Sequence, residues 1–374
     1  SNIAVGVNSL EANQTGSKNV AIGTQALDAN TVDDNTAVGH NALLVNSTGH
    51  SNTAYGKDSL KANTTACNNT AFGTCSLLTN TTGTRNSAFG RNSLSANTIG
   101  SCNTGDGMYS LYSNTEGNRN VAVGTCSLFT NTTASDNVAV GLCSLYNNTT
   151  GCFNVAVGPS SLICNTTGSR NTSVGRQSLH CNTTGGFNTA LGIDSMYENT
   201  TGSSNTAVGR SAMLCNTEGV CNTAIGEQAL GKNTTANNNT AVGVFSMRCN
   251  TTGIQNTAIG DCTLATSTTS SGHTALGHCA LRAMTSGYSN TAVGAFSGDA
   301  TTSGNSNASL GYDSFTDNTT GTCNTAVGRG SLANNTTAST NVAVGACALF
   351  NNTTGTNNVA IGCGSLFNNV DDNR

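Results

Sequence analysis

Tryptophan is absent from this 374-residue chain, and proline occurs once, at Pro159. Charged residues make up 9% of the chain and aromatic residues 5%, too little large apolar surface for a conventional globular core of this length. Low charge and scarce proline also argue against a disordered chain, whose composition normally draws on both. A formal net charge of −4 supplies no basic surface for nucleic acid. No run approaches the roughly 18 apolar residues of a membrane-spanning helix, which argues against membrane insertion, and no signal peptide is visible. The 16 cysteines include no CxxC pair, so an oxidising, extracellular setting is the expectation.

Glycine is abundant instead, at 44 residues, alongside asparagine and threonine, and these residues recur with a fixed period. Copies begin at residues 2, 19 and 35 and then every 17 residues from 52 to 358, giving twenty-two copies, the second one residue short. Typical copies read NTAFGTCSLLTNTTGTR (69–85) and NVAVGLCSLYNNTTGCF (137–153). We number the slots of the unit 1 to 17, as N-T-A-V-G-x-x-S-L-x-x-N-T-T-G-x-x. Slot 5 is always glycine, and slot 1 is Asn except at His273. Slot 3 is Ala except at Gly105, Ser173 and Ser309. Slot 4 is aliphatic or aromatic except at Asp106, and slot 9 is Leu, Met or Phe except at Gly298. The repeat leaves no room for a linker, so residues 1–374 are expected to form a single repeat domain that starts and stops inside its own pattern, as a mature or truncated segment would.

A 17-residue unit is too short for a helical-hairpin repeat. Slots 2–4 predict a short strand and slots 8–10 a second, with glycines at slots 5 and 15 supplying positive φ at the corners. The expected fold is therefore all-β: a parallel β-solenoid of twenty-two coils with two short strands per coil, stacked about 4.8 Å apart into a rod on the order of 105 Å long. Alternation along the first strand predicts slots 2 and 4 inward, against the slot 9 leucine, and slot 3 outward.

The unit NTAVGxxSLxxNTTGxx resembles the repeats of tail-fibre-type proteins and, more distantly, the heads of YadA-like trimeric autotransporter adhesins, over the whole chain. That resemblance implies a left-handed β-roll, usually in a homotrimer, acting as an extracellular fibre or adhesin on a cell or virion surface. The 17-residue period, the many cysteines and the lack of a recognisable stalk depart from the adhesin pattern.

Slot 12 is Asn in nineteen copies, and fourteen of these open an N-x-S/T sequon: Asn13, Asn46, Asn63, Asn80, Asn131, Asn148, Asn165, Asn182, Asn199, Asn233, Asn250, Asn318, Asn335 and Asn352. They are candidates for N-glycosylation or for a stacked amide ladder; copies such as Asn97 and Asn114 keep the Asn and lose the sequon, which favours the ladder. Cys126–Cys143, Cys164–Cys181 and Cys262–Cys279 share a slot on adjacent coils, where a spacing of about 4.8 Å suits a disulfide. Cys347 and Cys363, in slots 7 and 6, form a weaker pair. Asp261, Cys262, His278 and Cys279 are the one metal-like group, but alternation of slots 6 and 7 would split them into two pairs. Asp106 predicts a local bulge that turns its carboxylate to water. No nucleophile–base grouping is visible among the five histidines, and no cofactor motif occurs, so no cofactor, metal or enzymatic activity is expected.

The leading expectation is a structural extracellular fibre or adhesin-type shaft. Its partners would be identical chains, in a homotrimer or an end-to-end fibre, and a host surface or glycan receptor; the alternative is an ice- or surface-binding solenoid. The three copies over 256–306, which lose slot 12 Asn at Ser267, Met284 and Thr301, are expected to be the weakest section. The VDDN runs at 32–35 and 370–373 suggest that Asn373 opens a further coil.

Overall fold

The computed structural model describes residues 1–371; Asn373 lies outside them. The coils fall into two compact units, Ser1–Phe187 and Asn188–Arg374. The first carries β1 (Ile3–Val5) to β11 (Thr172–Val174), the second β12 (Thr189–Leu191) to β22 (Val359–Ile361). Each unit is a parallel β-solenoid with one three-residue strand per coil, drawn from slots 2–4. Strands of successive coils pair in register: Thr53, Ala54 and Tyr55 of β4 (Thr53–Tyr55) face Thr70, Ala71 and Phe72 of β5 (Thr70–Phe72). Among the described residues no helix occurs, and hence none long and apolar enough to cross a membrane.

The expected second strand is replaced by a stretch of turns over slots 6–11. Slots 7, 9 and 17 adopt left-handed backbone conformations, as at Cys75 (φ 57°), Leu77 (φ 49°) and Arg85 (φ 58°), and a strand cannot pass through such angles. A leucine held there costs about 1–2 kcal/mol. Complete burial of its side chain returns about 2 kcal/mol, and its amide donates to the slot 8 carbonyl of the next coil, at 3.0 Å for Leu77 on Ser93, so the strained backbone persists. Glycine is required at slot 5: φ is +136° at Gly73, and an added Cβ would stand 2.5 Å from the carbonyl oxygen of Gly90. Slot 15 does not follow the same logic. Its φ is not left-handed, and Ala66, Ala134, Ala236 and Ala338 fill it, buried.

The facing of the strand is the reverse of the expected one. Slot 3 is buried in every strand from β2 (Val20–Ile22) onward, and slots 2 and 4 are partly or fully exposed. The interior is too thin for anything else. A Cβ placed on Gly105 would lie 2.5 Å from Ser93 Oγ and 2.9 Å from Ser110 Oγ, so slot 3 packs directly on slot 8 and alanine fills the space. Where serine replaces it, a hydroxyl pair forms, at 2.7 Å between Ser161 and Ser173 and 2.6 Å between Ser297 and Ser309. Asp106 needs no bulge: it ends β7 (Thr104–Asp106) in register with Phe89 and Val123 and is exposed because slot 4 faces outward.

Candidate interaction surface and the thiol cluster

Two asparagines brace each coil. The slot 12 amide nitrogen donates to the slot 15 carbonyl of its own coil and to the slot 12 amide oxygen of the preceding one, as Asn131 does to Ala134 (3.1 Å) and Asn114 (2.7 Å). The slot 1 amide reaches the same slot 15 carbonyl from the other side, at 2.9 Å for Asn137 on Gly151. Its oxygen accepts the backbone N–H of the next slot 1 residue, at 2.9 Å for Asn154 on Asn137. A third ladder runs at slot 16, where a side-chain acceptor takes the slot 16 amide of the preceding coil: Ser135 Oγ from Asn118 (2.9 Å), and Cys152 Sγ from Ser135 (3.4 Å).

The fourteen sequon asparagines are therefore ladder rungs, each fully buried apart from the part-buried Asn13. A buried amide nitrogen already donating to two oxygens leaves no space for a glycan in the folded coil. The ladder breaks where the sequence places its weakest section. Asn250 Oδ1 is buried without a partner because Ser267 stands in the next coil, and Thr301 Oγ1 is likewise unpaired. The strands of these coils persist nonetheless. His273 substitutes for the slot 1 asparagine by geometry: Nε2 lies 3.0 Å from the Gly287 carbonyl, and Nδ1 accepts the Asn290 N–H at 3.2 Å. Burial pushes its pKa down to about 4.

With slots 2 and 4 outward, each unit presents a strand face of threonine and valine next to Val, Ile, Leu and aromatic residues. Tyr55, Phe72 and Phe89 stack along it with centroids 5.5 Å apart, and remain 53%, 38% and 41% exposed. Asp106 is the one charged side chain in slots 2 and 4, whereas slots 6 and 17, which flank the strand, carry Lys57, Arg91, Arg119 and Asp136. Arg119 and Asp136 pair bidentately across adjacent coils at 2.6 and 2.8 Å, and the arginine holds the aspartate below its usual carboxylate range. A second aromatic column, Tyr112–Phe129–Tyr146, stacks at 5.1 and 4.9 Å on slot 10.

The sixteen cysteines are present as thiols. Cys126 and Cys143 are in thiol–thiol contact, and burial, then the neighbouring thiol, pushes Cys126 up. Burial alone raises Cys164. Cys347 Sγ lies beside Gly330 of the preceding coil, 3.5 Å from where a Cβ on that glycine would stand. The Asp261 group is not split as alternation suggested, because slot 7 is left-handed and turns its side chain to the side of slot 6. Cys279 Sγ lies 3.3 Å from His278 Nε2, His278 Nδ1 lies 3.6 Å from Asp261 Oδ2, and Asp261 Oδ1 lies 3.5 Å from Cys262 Sγ. A thiol–imidazole–carboxylate grouping therefore exists that sequence spacing did not reveal. Among the described residues no group of three donors converges as a metal cage would require. Burial pushes the Cys279 thiol up, so it is no activated nucleophile at rest.

No protein-family model matches the chain, and no curated protein matches it.

Proposed function

We propose that this chain is a mechanical element, an extracellular fibre or adhesin-type shaft, whose outward strand face packs against identical chains. The observation that carries the reading is the apolar strand face, almost free of charge and flanked by charged slots, an arrangement that marks interaction sites on solenoid and globular proteins alike. Eleven strands about 4.8 Å apart and about 10 Å long give roughly 500 Å² per unit, so two facing units would cover about 1,000 Å² in total, near the lower limit for a specific interface. The resemblance to tail-fibre and adhesin repeats, many of them trimeric, supports the same reading. The test is to replace Val140 and Val157, slot 4 residues with no interior role, by glutamate and measure mass by light scattering. The expected outcome is an associated wild type and a folded, monomeric variant; a monomeric wild type overturns the reading.

A specific observation also favours the surface-binding alternative. Slot 2 threonine hydroxyls and slot 4 aliphatic groups share one outward face in a regular grid. Thermal hysteresis in the Val140→Glu, Val157→Glu monomer and in wild type separates the two. Activity in wild type that vanishes in the variant favours lattice binding; its absence in both favours self-association.

A further inference from the structure

We infer that Cys262 and Cys279 form a redox staple, a vicinal dithiol across two adjacent coils that exchanges with small-molecule disulfides, with His278 as the base for the resolving thiol. It involves slots 6 and 7 and is independent of the strand face. Four observations carry it. The two thiols occupy the same slot of coils stacked in register, joined by the Cys279 N–H to Asp261 carbonyl hydrogen bond at 2.9 Å, and they are in side-chain contact. Their Cα spacing of about 4.8 Å falls within the disulfide range of roughly 4.4–6.8 Å. Exposure is asymmetric: Cys262 is partly accessible, whereas Cys279 is buried at 6%. Of the two, Cys279 carries the imidazole nitrogen on its sulfur, 3.3 Å away, with the opposite ring nitrogen facing Asp261 at 3.6 Å. Finally, the staple lies where the slot 12 ladder is interrupted at Ser267 and Met284, so it would reinforce two coils that no slot 12 asparagine joins.

The chemistry follows from that asymmetry. Cys262, having lost its proton to solvent, attacks one sulfur of a disulfide R–S–S–R; the S–S bond breaks, leaving the mixed disulfide Cys262–S–S–R, and RS⁻ leaves and is protonated by water. Cys279 then passes its proton to His278 Nε2 while its sulfur attacks Cys262 Sγ. The second RS⁻ leaves and takes the proton from the imidazolium. Two thiols become one protein disulfide, and R–S–S–R becomes two RSH. The groups facing the pair are Asp261, which disfavours both thiolates; Arg282, which favours them; Asp299, which faces Cys279; and the Phe296 ring, edge-on to His278 at 5.2 Å. Asp299 is also held by Arg282 at 3.6 Å.

The experiment exposes folded protein to oxidised glutathione and follows each cysteine by alkylation and peptide mass spectrometry over pH 5–8. The Cys262–Cys279 bridge is expected to form at least about tenfold faster than Cys126–Cys143, a thiol pair with no histidine at its sulfur. His278→Gln, at a half-exposed position, is expected to bring both the rate and its pH profile to those of the comparison pair, with unchanged melting. Oxidation is expected to slow amide exchange over residues 256–290 about a hundredfold, the scale for closing a 17-residue loop. Three outcomes would overturn the inference: no 262–279 bridge in the folded protein, an unchanged rate and profile in His278→Gln, or Zn²⁺ retained through dialysis with both thiols shielded.

Discussion

Asparagine at slot 12 is the smallest side chain that can accept one bond and donate two along the coil axis, and the neighbours of Asn131 measure what that is worth. Truncation to alanine would remove the donor to Asn114 Oδ1, leaving it buried and unpaired, and one of the two acceptors of Asn148 Nδ2, which keeps only the Gly151 carbonyl. Each such loss costs about 1–3 kcal/mol. We expect Asn131→Ala to destabilise the first unit by about 2–5 kcal/mol by urea unfolding, and Thr133→Ala, at exposed slot 14, to change it by less than about 0.5 kcal/mol. His273 carries a pH dependence with a fixed sign. Its folded pKa of about 4 lies below the ordinary 6.5, so the unfolded chain binds the proton first as pH falls. Stability of its coil is complete above pH 6.5 and is lost progressively between pH 6.5 and pH 4, by an amount on the order of 3 kcal/mol. Protonation would also remove the acceptor for the Asn290 amide. Amide exchange near residues 273–290 should accelerate over that window in wild type and not in His273→Asn, which restores the usual rung.

At the scale of the element, the period, the parallel solenoid and the strand at slots 2–4 were legible in the sequence, because glycine recurs at slot 5 in every copy and asparagine at slots 1 and 12 in nearly every one. Facing was not. Alternation alone places slots 2 and 4 on one side and slot 3 on the other without saying which side is in, and hydrophobicity pointed to valine, isoleucine and phenylalanine. The deciding term is width. The coil interior is filled by slot 3 alanine, slot 8 serine, slot 9 leucine and the two asparagines, and that leaves room for a methyl group only. The second strand was missed because a leucine at φ near 50° gives no local sequence signal; the cost is met by burial elsewhere in the coil. Asp261, Cys262, His278 and Cys279 were legible as a group, but the contacts that join its two expected pairs were not, since a left-handed slot 7 abolishes the alternation assumed for it. The inward facing makes a direct prediction. Ala139→Val should overpack the first unit and cost about 1–3 kcal/mol, and Val140→Thr on the outer face should cost under about 0.5 kcal/mol. Equal effects on denaturant midpoint would contradict the assigned facing.

For the whole molecule, the fourteen sequons constrain how the chain can be made. Their asparagines are the rungs of the slot 12 ladder, while the slot 14 hydroxyl that completes most of the sequons, as in Thr133, Thr150 and Thr167, faces solvent. The folded coil therefore hides the acceptor nitrogen and displays only the recognition residue. Glycans attach to an unfolded chain before coils stack, and one sugar on Asn131 or Asn148 would replace an amide hydrogen that the ladder uses. Folding and N-glycosylation compete for the same nitrogen. The extracellular role proposed above would then require a route that bypasses the glycosylating machinery or completes each coil before meeting it. Expression in a compartment without that machinery should give folded protein whose slot 12 asparagines resist enzymatic glycosylation afterwards. Delivery of the unfolded chain into a glycosylating secretory compartment should give modified, retained material. Replacing the sequon-completing slot 14 threonines by valine removes those sequons and leaves every rung in place, so it should restore folding and release along that route. Recovery of stacked, soluble coils bearing sugars on Asn131 and Asn148 would show that the ladder tolerates what its geometry forbids.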